Sequence, residues 1–413
     1  MKQSQLFTKT RKEAPKDEIS KNAILLTRAG FIHKEMAGAY SYLPLGLRVL
    51  ENIKKIVREE MNDLGGKEII MTSLQRKELW QETDRWNDEK VDVWFKSALK
   101  SGVEVGFGWS HEEPITDMMK NFISSYRDLP VNVYQFQTKM RNELRAKSGI
   151  MRGREFVMKD MYTYTLNEAE HKKIYDRITT AYLKIFERVG LGDKTYLTFA
   201  SGGAFTQFSH EFQTVVESGE DTIHLSKEKK IAINKEVLTD EVLNQLNLKR
   251  DELEEVSSAE VGNIFSFGTV KSEQLGLNFI DEDGVSKPVT LGSYGIGITR
   301  LMGVITEVLS DEKGIVWPKE VSPFRVHLLS LGEKAQGLAE ETYSALTEAG
   351  IEVLYDDRDL RAGEKFADAD LMGITTQVIV GDKSLESGLF EVKDRVGGKT
   401  SEMTLDDLIT KLK

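Results

Sequence analysis

Hydrophobic and polar residues alternate with a period of two along residues 131–143, VNVYQFQTKMRNE. This alternation is typical of a β-strand that buries one of its faces. A second extended segment, residues 151–160 (MRGREFVMKD), follows after a short loop. Together the two segments predict an antiparallel hairpin. Its polar face would carry the side chains of Gln135, Gln137, Lys139, Arg141, Glu143, Arg152, Arg154, Phe156, Met158 and Asp160.

The predicted hairpin is basic although the chain as a whole is acidic. The formal net charge is −11, whereas residues 139–159 contain seven basic and two acidic side chains. This local excess of cationic groups indicates a site for a polyanion, and a triphosphate has a suitable size. The pattern alone leaves open an alternative, which is a solvated hairpin of mixed charge.

Helical periodicity appears on both sides of this hairpin. Apolar residues recur at spacings of three and four from Leu50 to Leu64, and Gly65-Gly66 ends the predicted helix. A strand is predicted next, over residues 68–72. A shorter helix is predicted over residues 19–29 and a long one over residues 167–188.

The last hundred residues follow a different pattern, in which strands alternate with helices. Pro318 and Pro323 separate this part from the preceding chain. The alternation predicts a small, mostly parallel α/β domain. Its predicted strands are 325–330, 352–355 and 377–380, and its predicted helices are 334–348, 363–371 and 405–412.

Length and composition limit the class of protein. A chain of 413 residues suggests two or three domains, and its 40% hydrophobic and 30% charged residues are typical of globular proteins. It contains no cysteine, which excludes disulfides and thiolate zinc sites. No apolar run is long enough for a membrane span, and the first residues lack a signal-peptide core. We therefore expect a cytoplasmic protein without membrane contact.

Several short motifs admit a structural and a chemical interpretation. Ser110 followed by Glu113 predicts a capping box at the start of a helix. Gly295 and Gly297 precede an apolar helix, but the third glycine of a dinucleotide fingerprint is replaced by Arg300. Gly202-Gly203 predicts a turn. A lone histidine next to a phenylalanine, such as His210 here, is usually a core residue.

The residues of the hairpin, QTKMRNE and GIMRGREFVMKDMY, resemble the second signature motif of class II aminoacyl-tRNA synthetases, and the bacterial prolyl-tRNA synthetases in particular. The helix and strand before it resemble the first motif, and Gly-x-Gly-x-x-Arg at 295–300 resembles the third. Ser209-His210-Glu211-Phe212 resembles the SHEF strand of the family. The resemblance covers roughly residues 7–226 and 261–413.

This resemblance implies an α+β class II catalytic domain, an antiparallel sheet flanked by helices, over residues 1–317. A smaller α/β anticodon-binding domain would follow over residues 318–413. Residues 227–260 are charged and helical in period, and they predict a short helical connector where many bacterial relatives carry an editing domain. The first motif implies a homodimer, although Thr72 stands where the family usually has proline.

The resemblance also implies an ATP site that uses Mg²⁺. Arg141, Arg152 and Arg300 would be the catalytic residues. Arg141 would bridge the proline carboxylate and the α-phosphate, and the other two arginines would hold the distal phosphates. The remaining ATP-binding residues would be Glu143 and Phe156 at the adenine, and Gly295 and Gly297, where the backbone approaches the nucleotide. No protein side chain is assigned to the metal.

The proline site and the tRNA site are implied in the same way. A carboxylate at Glu112 suits the secondary ammonium of proline, because it is a charge-assisted acceptor. The implied proline-binding residues are Ser110, Glu112, Arg141, Met158, Tyr162, His210 and Ser293. Arg358, Arg361 and Lys365 are candidate anticodon contacts, with solvated surface charge as the equal alternative.

The implied function is activation of L-proline to prolyl-adenylate, followed by transfer to tRNA(Pro). Without an editing domain, misactivated alanine would be tolerated or cleared by a separate trans-editing factor. Two alternatives remain: a non-charging paralogue that binds tRNA or a regulatory partner, and a different enzyme that adenylates small acids. The intact arginines argue against the first, and the anticodon-like domain argues against the second.

Overall fold

The computed structural model describes residues 1–146, 148–201 and 208–413. Two compact units make up this part of the chain. Unit 1 comprises residues 1–36, 40–53 and 305–413, and unit 2 comprises residues 37–39 and 54–304. The division into domains 1–317 and 318–413 stays a prediction. The turn predicted at Gly202-Gly203 lies outside the described residues.

The helices and strands are numbered in chain order. The α-helices are α1 (Lys21–Arg28), α2 (Pro44–Asp63), α3 (Lys77–Gln81), α4 (Glu112–Met119), α5 (Glu168–Arg188), α6 (Asp240–Gln245), α7 (Val270–Leu275), α8 (Ile298–Leu309), α9 (Gln336–Glu348), α10 (Ala362–Met372), α11 (Asp382–Ser387) and α12 (Leu405–Leu412). The strands are β1 (Ile32–Met36), β2 (Ala39–Tyr42), β3 (Lys67–Glu68), β4 (Leu74–Arg76), β5 (Lys96–Ala98), β6 (Glu104–Phe107), β7 (Val131–Met140), β8 (Glu155–Thr165), β9 (Thr195–Ser201), β10 (Phe208–Val215), β11 (Asp221–Ser226), β12 (Ile231–Asn234), β13 (Glu254–Gly268), β14 (Asn278–Ile280), β15 (Ser286–Pro288), β16 (Thr290–Gly297), β17 (Val326–Ser330), β18 (Val353–Asp356), β19 (Thr376–Val380), β20 (Phe390–Asp394) and β21 (Thr400–Met403).

A large, mainly antiparallel sheet forms the centre of unit 2. Its described strands lie in the order β10-β9-β12-β11-β13-β16-β8-β7-β3, and β10 also pairs with β13. The pairs β12–β9 and β3–β7 are parallel. The long helix α5 packs on β8, β13 and β16. An antiparallel sheet with flanking helices confirms the predicted fold class.

The predicted hairpin is confirmed as β7 and β8. Gln135 lies opposite Asp160, Gln137 opposite Met158 and Lys139 opposite Phe156, so these six side chains share one face. The next strand, β16, pairs with the free edge of β8. The sheet therefore places the glycine-rich third motif directly beside the hairpin.

The two strongest helix predictions are also confirmed. Helix α2 buries Ile53, Val57 and Met61, which lie on its apolar stripe. The chain turns after this helix at Gly65, whose φ of +79° favours glycine. Helix α5 begins after Asn167, whose side chain accepts a hydrogen bond from the backbone N–H of Glu170.

The strand predicted over residues 68–72 is wrong beyond Glu68, where β3 ends. The backbone N–H of Ile69 still donates to the carbonyl of Tyr134. The N–H of Met71 then donates to the side chain of Gln135 instead of a backbone carbonyl. Because a side chain has replaced the backbone partner, the ladder cannot continue.

The helical connector predicted over residues 227–260 is largely wrong. Residues 231–234 form β12, which inserts into the central sheet between β9 and β11. Helix α6 is the single α-helix of the stretch, and from Glu254 the chain enters β13. Ile231 and Ile233 are β-branched and suit a strand. A small core of Ile233, Val237, Val242, Leu243 and Leu248 holds the stretch together.

Unit 1 contains a separate five-stranded sheet in the order β18-β17-β19-β20-β21. Strands β17, β18 and β19 are parallel, and β20 and β21 are antiparallel additions. The predicted alternation of strands and helices is confirmed, and α11 is an additional short helix. None of the described helices, in either unit, meets the length and apolarity that a membrane crossing requires.

Candidate active site

The three arginines singled out from the sequence line one cavity of about 340 Å³ in unit 2. Arg141 directly follows β7, Arg152 precedes β8, and Arg300 lies in the first turn of α8. Hairpin and helix are adjacent because β16, which leads into α8, pairs with β8. The other lining residues are Glu143, Met151, Glu220, Asp221, Glu236, Ala259 and Glu260.

Two of these arginines form ion pairs with carboxylates of the cavity. Arg152 donates from Nη2 to Glu143 at 2.9 Å and from Nη1 to Glu220 at 2.7 Å. Although burial lowers the pKa of Arg152, these two carboxylates outweigh burial and raise it. Arg300 donates from Nη1 to the carbonyl of Glu260 at 2.9 Å and to its carboxylate at 3.3 Å.

Arg141 differs from the other two, because its described contacts include no carboxylate within ion-pair distance. Its Nε donates to the carbonyl of Trp109 at 3.3 Å, and its guanidinium lies 5.3 Å from the centre of the Phe156 ring. Burial, and then the nearby charge of Arg300, lowers the pKa of Arg141. An incoming anion would therefore find a guanidinium that has no close carboxylate among its described contacts.

Apart from Glu143, the carboxylates near these arginines were not predicted from the sequence as site residues. Burial, followed by repulsion from Glu260, raises the pKa of Glu211 well above its ordinary value. Burial also raises the pKa of Asp221, although Gln213 donates to it. No three carboxylate or imidazole groups of the described chain come close enough together to form a metal site by themselves. Glu211 belongs to the SHEF strand, β10, whereas no local motif marks Asp221 on β11 or Glu260 on β13.

The two glycines of the third motif keep the backbone clear of neighbouring atoms. A Cβ at Gly295 would lie 2.8 Å from Oδ1 of Asn263, and one at Gly297 would lie 3.0 Å from Cβ of Arg300. Both contacts are closer than ordinary van der Waals packing allows. A side chain at either position would therefore crowd its neighbours where β16 passes into the helix that carries Arg300.

A second group of predicted residues surrounds the carboxylate of Glu112. Ser110 Oγ donates to Oε2 at 2.5 Å, and Ser293 Oγ donates to Oε1 at 3.1 Å. Tyr162 OH lies 3.5 Å from Oε1. Glu112 is 2% exposed, so these hydroxyl groups replace water around a buried carboxylate. Glu112 therefore contacts three other predicted proline-binding residues, Ser110, Tyr162 and Ser293.

The predicted capping box at this point is wrong. Helix α4 begins at Glu112, and its N-cap residue, His111, makes no side-chain capping bond. The hydroxyl of Ser110 is engaged with Glu112, and the carboxylate of Glu113 is turned towards Thr83 and Arg85. Buried ionic contacts thus override the local capping pattern.

Asp160 is a further buried acid of this pocket. Its Oδ2 accepts hydrogen bonds from Tyr162 OH at 2.9 Å, Lys139 Nζ at 2.8 Å and Gln135 Nε2 at 2.9 Å. Burial raises the pKa of Asp160, but the charge of Lys139 outweighs burial and lowers it. The hairpin pairing predicted this acid on the polar face, but only the structure shows that it orients Tyr162.

Met158 and His210, the other predicted proline contacts, lie apart from the Glu112 group in their described contacts. Met158 pairs with Gly297 across the sheet. His210 Nδ1 is 2.7 Å from Tyr175 OH, and its ring meets Phe199 edge to face. Burial lowers the pKa of His210, which favours a neutral ring. Within the described chain, no hydrogen bond connects His210 to Glu112.

The candidate anticodon residues differ in their availability. Arg361 is exposed and directly precedes α10. Arg358 is engaged with Asp356 at 2.7 Å and Asp368 at 2.9 Å. Lys365 is 3% exposed and donates to the carbonyl of Ser330 at 2.8 Å. The prediction that Lys365 contacts the anticodon is therefore wrong, because its ammonium group is buried and already hydrogen-bonded within the protein.

Unit 1 has a cavity of its own, of about 1080 Å³. It is larger than the arginine-lined cavity, but it contains none of Arg141, Arg152 and Arg300. We place the chemistry in the smaller cavity because charge stabilisation depends on converging donors rather than on volume. The basic residues of the larger cavity are Lys9, Arg11, Lys12, Arg28, Lys313 and Arg358.

Family models match two parts of the chain. Residues 99–309 match the class II tRNA synthetase core domain (G, H, P, S and T), and residues 325–413 match an anticodon-binding domain. The fold and the site define a class II aminoacyl-tRNA synthetase. The proline–tRNA ligase of Afipia carboxidovorans is 37% identical over 439 residues, covering 100% of this chain and 99% of the relative. That of Caulobacter vibrioides is 39% identical over 438 residues, covering 99% and 98%. The chain belongs to the prolyl-tRNA synthetase family.

Solved structures show the same fold. Prolyl-tRNA synthetase from Cryptosporidium parvum, complexed with halofuginone and AMPPNP, aligns with a TM-score of 0.79 at 17% identity, covering 95% of this chain and 75% of that one. The Giardia lamblia prolyl-tRNA synthetase in complex with prolyl-adenylate aligns with a TM-score of 0.78 at 16% identity, covering 93% and 74%.

Proposed function

We propose that the chain activates L-proline with ATP and transfers the prolyl group to the 3′ end of tRNA(Pro). The observation that carries this proposal is the convergence of Arg141, Arg152 and Arg300 on one cavity. Arg141 also donates to the carbonyl of Trp109, next to Ser110 and the Glu112 pocket. One guanidinium thus connects the proposed nucleotide site with the proposed amino-acid site.

The first step forms a bond between a carboxylate oxygen of proline and the α-phosphorus of ATP, and it breaks the bond to pyrophosphate. In the second step, the terminal ribose hydroxyl of tRNA takes the prolyl group and AMP leaves. Neither step needs a protein nucleophile, so catalysis depends on positioning and charge compensation. Arg141 suits the bridge between the proline carboxylate and the α-phosphate, because a guanidinium offers a bidentate fork.

The remaining cavity residues would hold the rest of ATP. Arg152 and Arg300 would exchange their carboxylate partners for the distal phosphates. Phe156 would stack on the adenine, and Glu143, which already accepts from Arg152, would accept hydrogen bonds from the base. Gly295 and Gly297 keep the adjoining backbone free of side chains.

Magnesium fits the acidic side of this cavity. Mg²⁺ is usually held by phosphate oxygens, water and one or two carboxylates. The raised pKa values of Glu211 and Asp221 indicate crowded negative charge that a cation would relieve. Asp221 and Glu260, which line the cavity, would therefore contribute ligands together with the phosphate oxygens, and the metal would neutralise charge on the triphosphate.

Glu112 would bind the secondary ammonium of proline, and Ser293, Tyr162, Met158 and His210 would surround the ring. An apolar pocket separates substrates that differ by a methylene group by only about 1–3 kcal/mol. We therefore expect alanine to be activated as well. By the resemblance, residues 227–260 stand where many bacterial relatives carry an editing domain. Clearance of alanyl-tRNA would therefore depend on a separate factor.

The tRNA would contact unit 1. Arg361 is exposed there, and Arg358 lines the large cavity with Lys9, Arg11 and other basic residues. A local basic surface allows tRNA binding despite the net charge of −11. By their resemblance to the first motif, residues 44–68 would form the interface of a homodimer, and the cytoplasm is the proposed location.

Proline-dependent exchange of pyrophosphate into ATP tests the first step, and charging of tRNA(Pro) tests the second. We expect both with the purified chain and Mg²⁺. Exchange without charging would indicate a different adenylating enzyme, and tRNA binding without exchange would indicate a non-charging paralogue. Rapid hydrolysis of alanyl-tRNA(Pro) by the pure protein would contradict the expected lack of editing.

A further inference from the structure

Glu112 and Glu113 are adjacent acids on α4, and both are almost completely buried. Their partners are different in kind. Glu112 accepts its shorter hydrogen bonds from the neutral hydroxyls of Ser110 and Ser293, and Arg85 Nη1 lies 3.5 Å away. Glu113 accepts from two cations at close range. The two cations therefore lie closer to Glu113 than to Glu112.

The partners of Glu113 form a buried network of Thr83, Arg85, Glu113 and Lys271, which we call the Glu113 network. Arg85 Nη1 is 2.8 Å from both carboxylate oxygens of Glu113, and Lys271 Nζ is 2.8 Å from Oε1. Thr83 Oγ1 donates to Oε1 at 2.9 Å. All four residues are less than 10% exposed.

Arg85 is held in place on its other side by aromatic rings. Its guanidinium carbon lies 4.5 Å from the centre of the Trp109 ring and 5.2 Å from that of Trp80. Cation–π contacts of this length fix the position of a guanidinium. Arg85 therefore stays within reach of both glutamates, and the distances decide which one it neutralises.

The charges of this region balance only if both glutamates are ionised. Glu112 and Glu113 supply two negative charges, and Arg85 and Lys271 supply two positive ones. Burial raises the pKa of Glu113, but Arg85 and Lys271 outweigh burial and lower it. If Glu113 lost its charge, both buried cations would have Glu112 as the nearest remaining acid in their described contacts.

We propose that Glu113 is a positioning residue for proline: it pairs closely with Arg85 and Lys271, so that the carboxylate of Glu112 is not drawn into a close ion pair and stays available to the substrate ammonium. This inference rests on the proposed function, in which Glu112 binds proline. It assigns Glu113, Arg85 and Lys271 an electrostatic role although none of them touches the substrate in that assignment.

The test compares Glu113→Gln, Lys271→Met and the double variant of the full chain by proline-dependent pyrophosphate exchange at saturating ATP. Glu113→Gln leaves one excess positive charge beside Glu112. Because the freed cations would compete with the substrate ammonium for a charge-assisted bond to Glu112, we expect the KM for proline to rise roughly ten- to a hundredfold, with a smaller change in kcat. The KM for ATP should stay unchanged.

The double variant separates electrostatics from packing. Removing Lys271 as well restores the local charge to that of the wild type, so its KM for proline should fall clearly below that of Glu113→Gln. A purely structural role predicts the opposite, since two buried contacts are then lost. Lys271→Met alone leaves an excess negative charge, and its KM should equal that of the wild type or be lower.

A double variant as impaired as Glu113→Gln, or an unchanged KM in Glu113→Gln, would overturn the inference. If Glu113→Gln does not fold, Lys271→Met and the double variant decide: an increase of the proline KM above tenfold in both would contradict it. Glu252→Gln, an exposed acid paired with Lys249, is the control. A wild-type chain without proline-dependent exchange would instead overturn the proposed function itself.

Discussion

The arginine-lined cavity and the Glu112 pocket are neighbouring sites that differ in how far their charged groups are exposed to solvent. In the cavity, the side chain of Arg152 is 43% exposed and pairs with carboxylates that are themselves partly exposed. In the pocket, Glu112 and Ser110 are 2% and 6% exposed. Exposed ion pairs are weak, whereas buried ones are costly to break. The cavity is therefore suited to exchanging partners, and the pocket is suited to holding a fixed shape.

This difference agrees with the two ligands that we propose. A triphosphate carries several negative charges, so it can displace the carboxylates from Arg152 and Arg300. Proline is small and offers one ammonium group and an apolar ring, so its site must be organised before it binds. In this proposal Arg141 serves both sites, and its described contacts show no carboxylate partner.

The largest expected effect is the loss of proline activation when an arginine of the cavity is removed. Arg141→Ala and Arg300→Ala should each slow proline activation by on the order of 10²–10³, because each removes a donor aimed at the developing charge. Pyrophosphate exchange measures this loss. Arg250→Ala, which removes an exposed arginine paired with Asp240, is the control. Near wild-type exchange in either variant would contradict the assigned roles.

The pocket should respond differently. Glu112→Gln should raise the KM for proline roughly ten- to a hundredfold, because the ammonium loses a charge-assisted acceptor. The KM for ATP should change little, and this selectivity distinguishes the pocket from the cavity. The matched control is Glu104→Gln, an exposed acid of β6. Equal changes in both KM values would contradict the separation of the two sites.

The face of β8 that points away from Asp160 carries a buried cation, Lys159. Lys159 is completely buried, and its Nζ contacts the carbonyl of Tyr294 at 3.1 Å, the hydroxyl of Tyr182 and Sδ of Met61. Burial lowers the pKa of Lys159 well below its ordinary value of 10.5. The unfolded chain therefore binds more protons than the folded one between these two pKa values.

Stability contributed at this site should consequently rise with pH. The free energy of unfolding of the wild type should increase relative to that of Lys159→Met as pH approaches 10.5, by at most about 1.4 kcal/mol per pH unit. Urea denaturation at several pH values measures the difference. A constant difference would indicate a lysine whose pKa is not lowered by folding.

The smallest expected effect comes from removing a carboxylate partner of Arg152 in the cavity. Glu220→Gln removes one of the carboxylates that occupy Arg152, so the guanidinium becomes more available to phosphate. We expect the KM for ATP to fall by about two- to fivefold, in line with the strength of exposed ion pairs. Glu217→Gln, at an exposed position nearby, is the control. A higher KM for ATP would show that Glu220 helps to bind the nucleotide.

The elements that sequence patterns predicted well are those with strict periodicity. The β7–β8 hairpin alternates with a period of two and carries its charges on one face, so both its pairing and the side of Arg141 were predictable. Helix α2 shows an equally regular stripe. The class II resemblance then connected the hairpin with Arg300, which is far away in sequence.

The predictions that failed involve contacts between distant segments. Lys365 appears in a charged stretch, and nothing local indicates that its ammonium group is buried against Ser330. Ser110 and Glu113 match a capping box, but the carboxylate of Glu113 forms ion pairs with Arg85 and Lys271 instead. Glu220 and Glu260 escaped notice because no motif marks an acid that becomes important only when the sheet brings it next to an arginine.

A crystal structure of the chain with proline and a non-hydrolysable ATP analogue tests the central claim most directly. The account predicts the triphosphate between Arg141, Arg152 and Arg300, with Arg152 released from Glu220 and the proline ammonium on Glu112. A nucleotide bound elsewhere, with Arg152 still paired to Glu143 and Glu220, would contradict it.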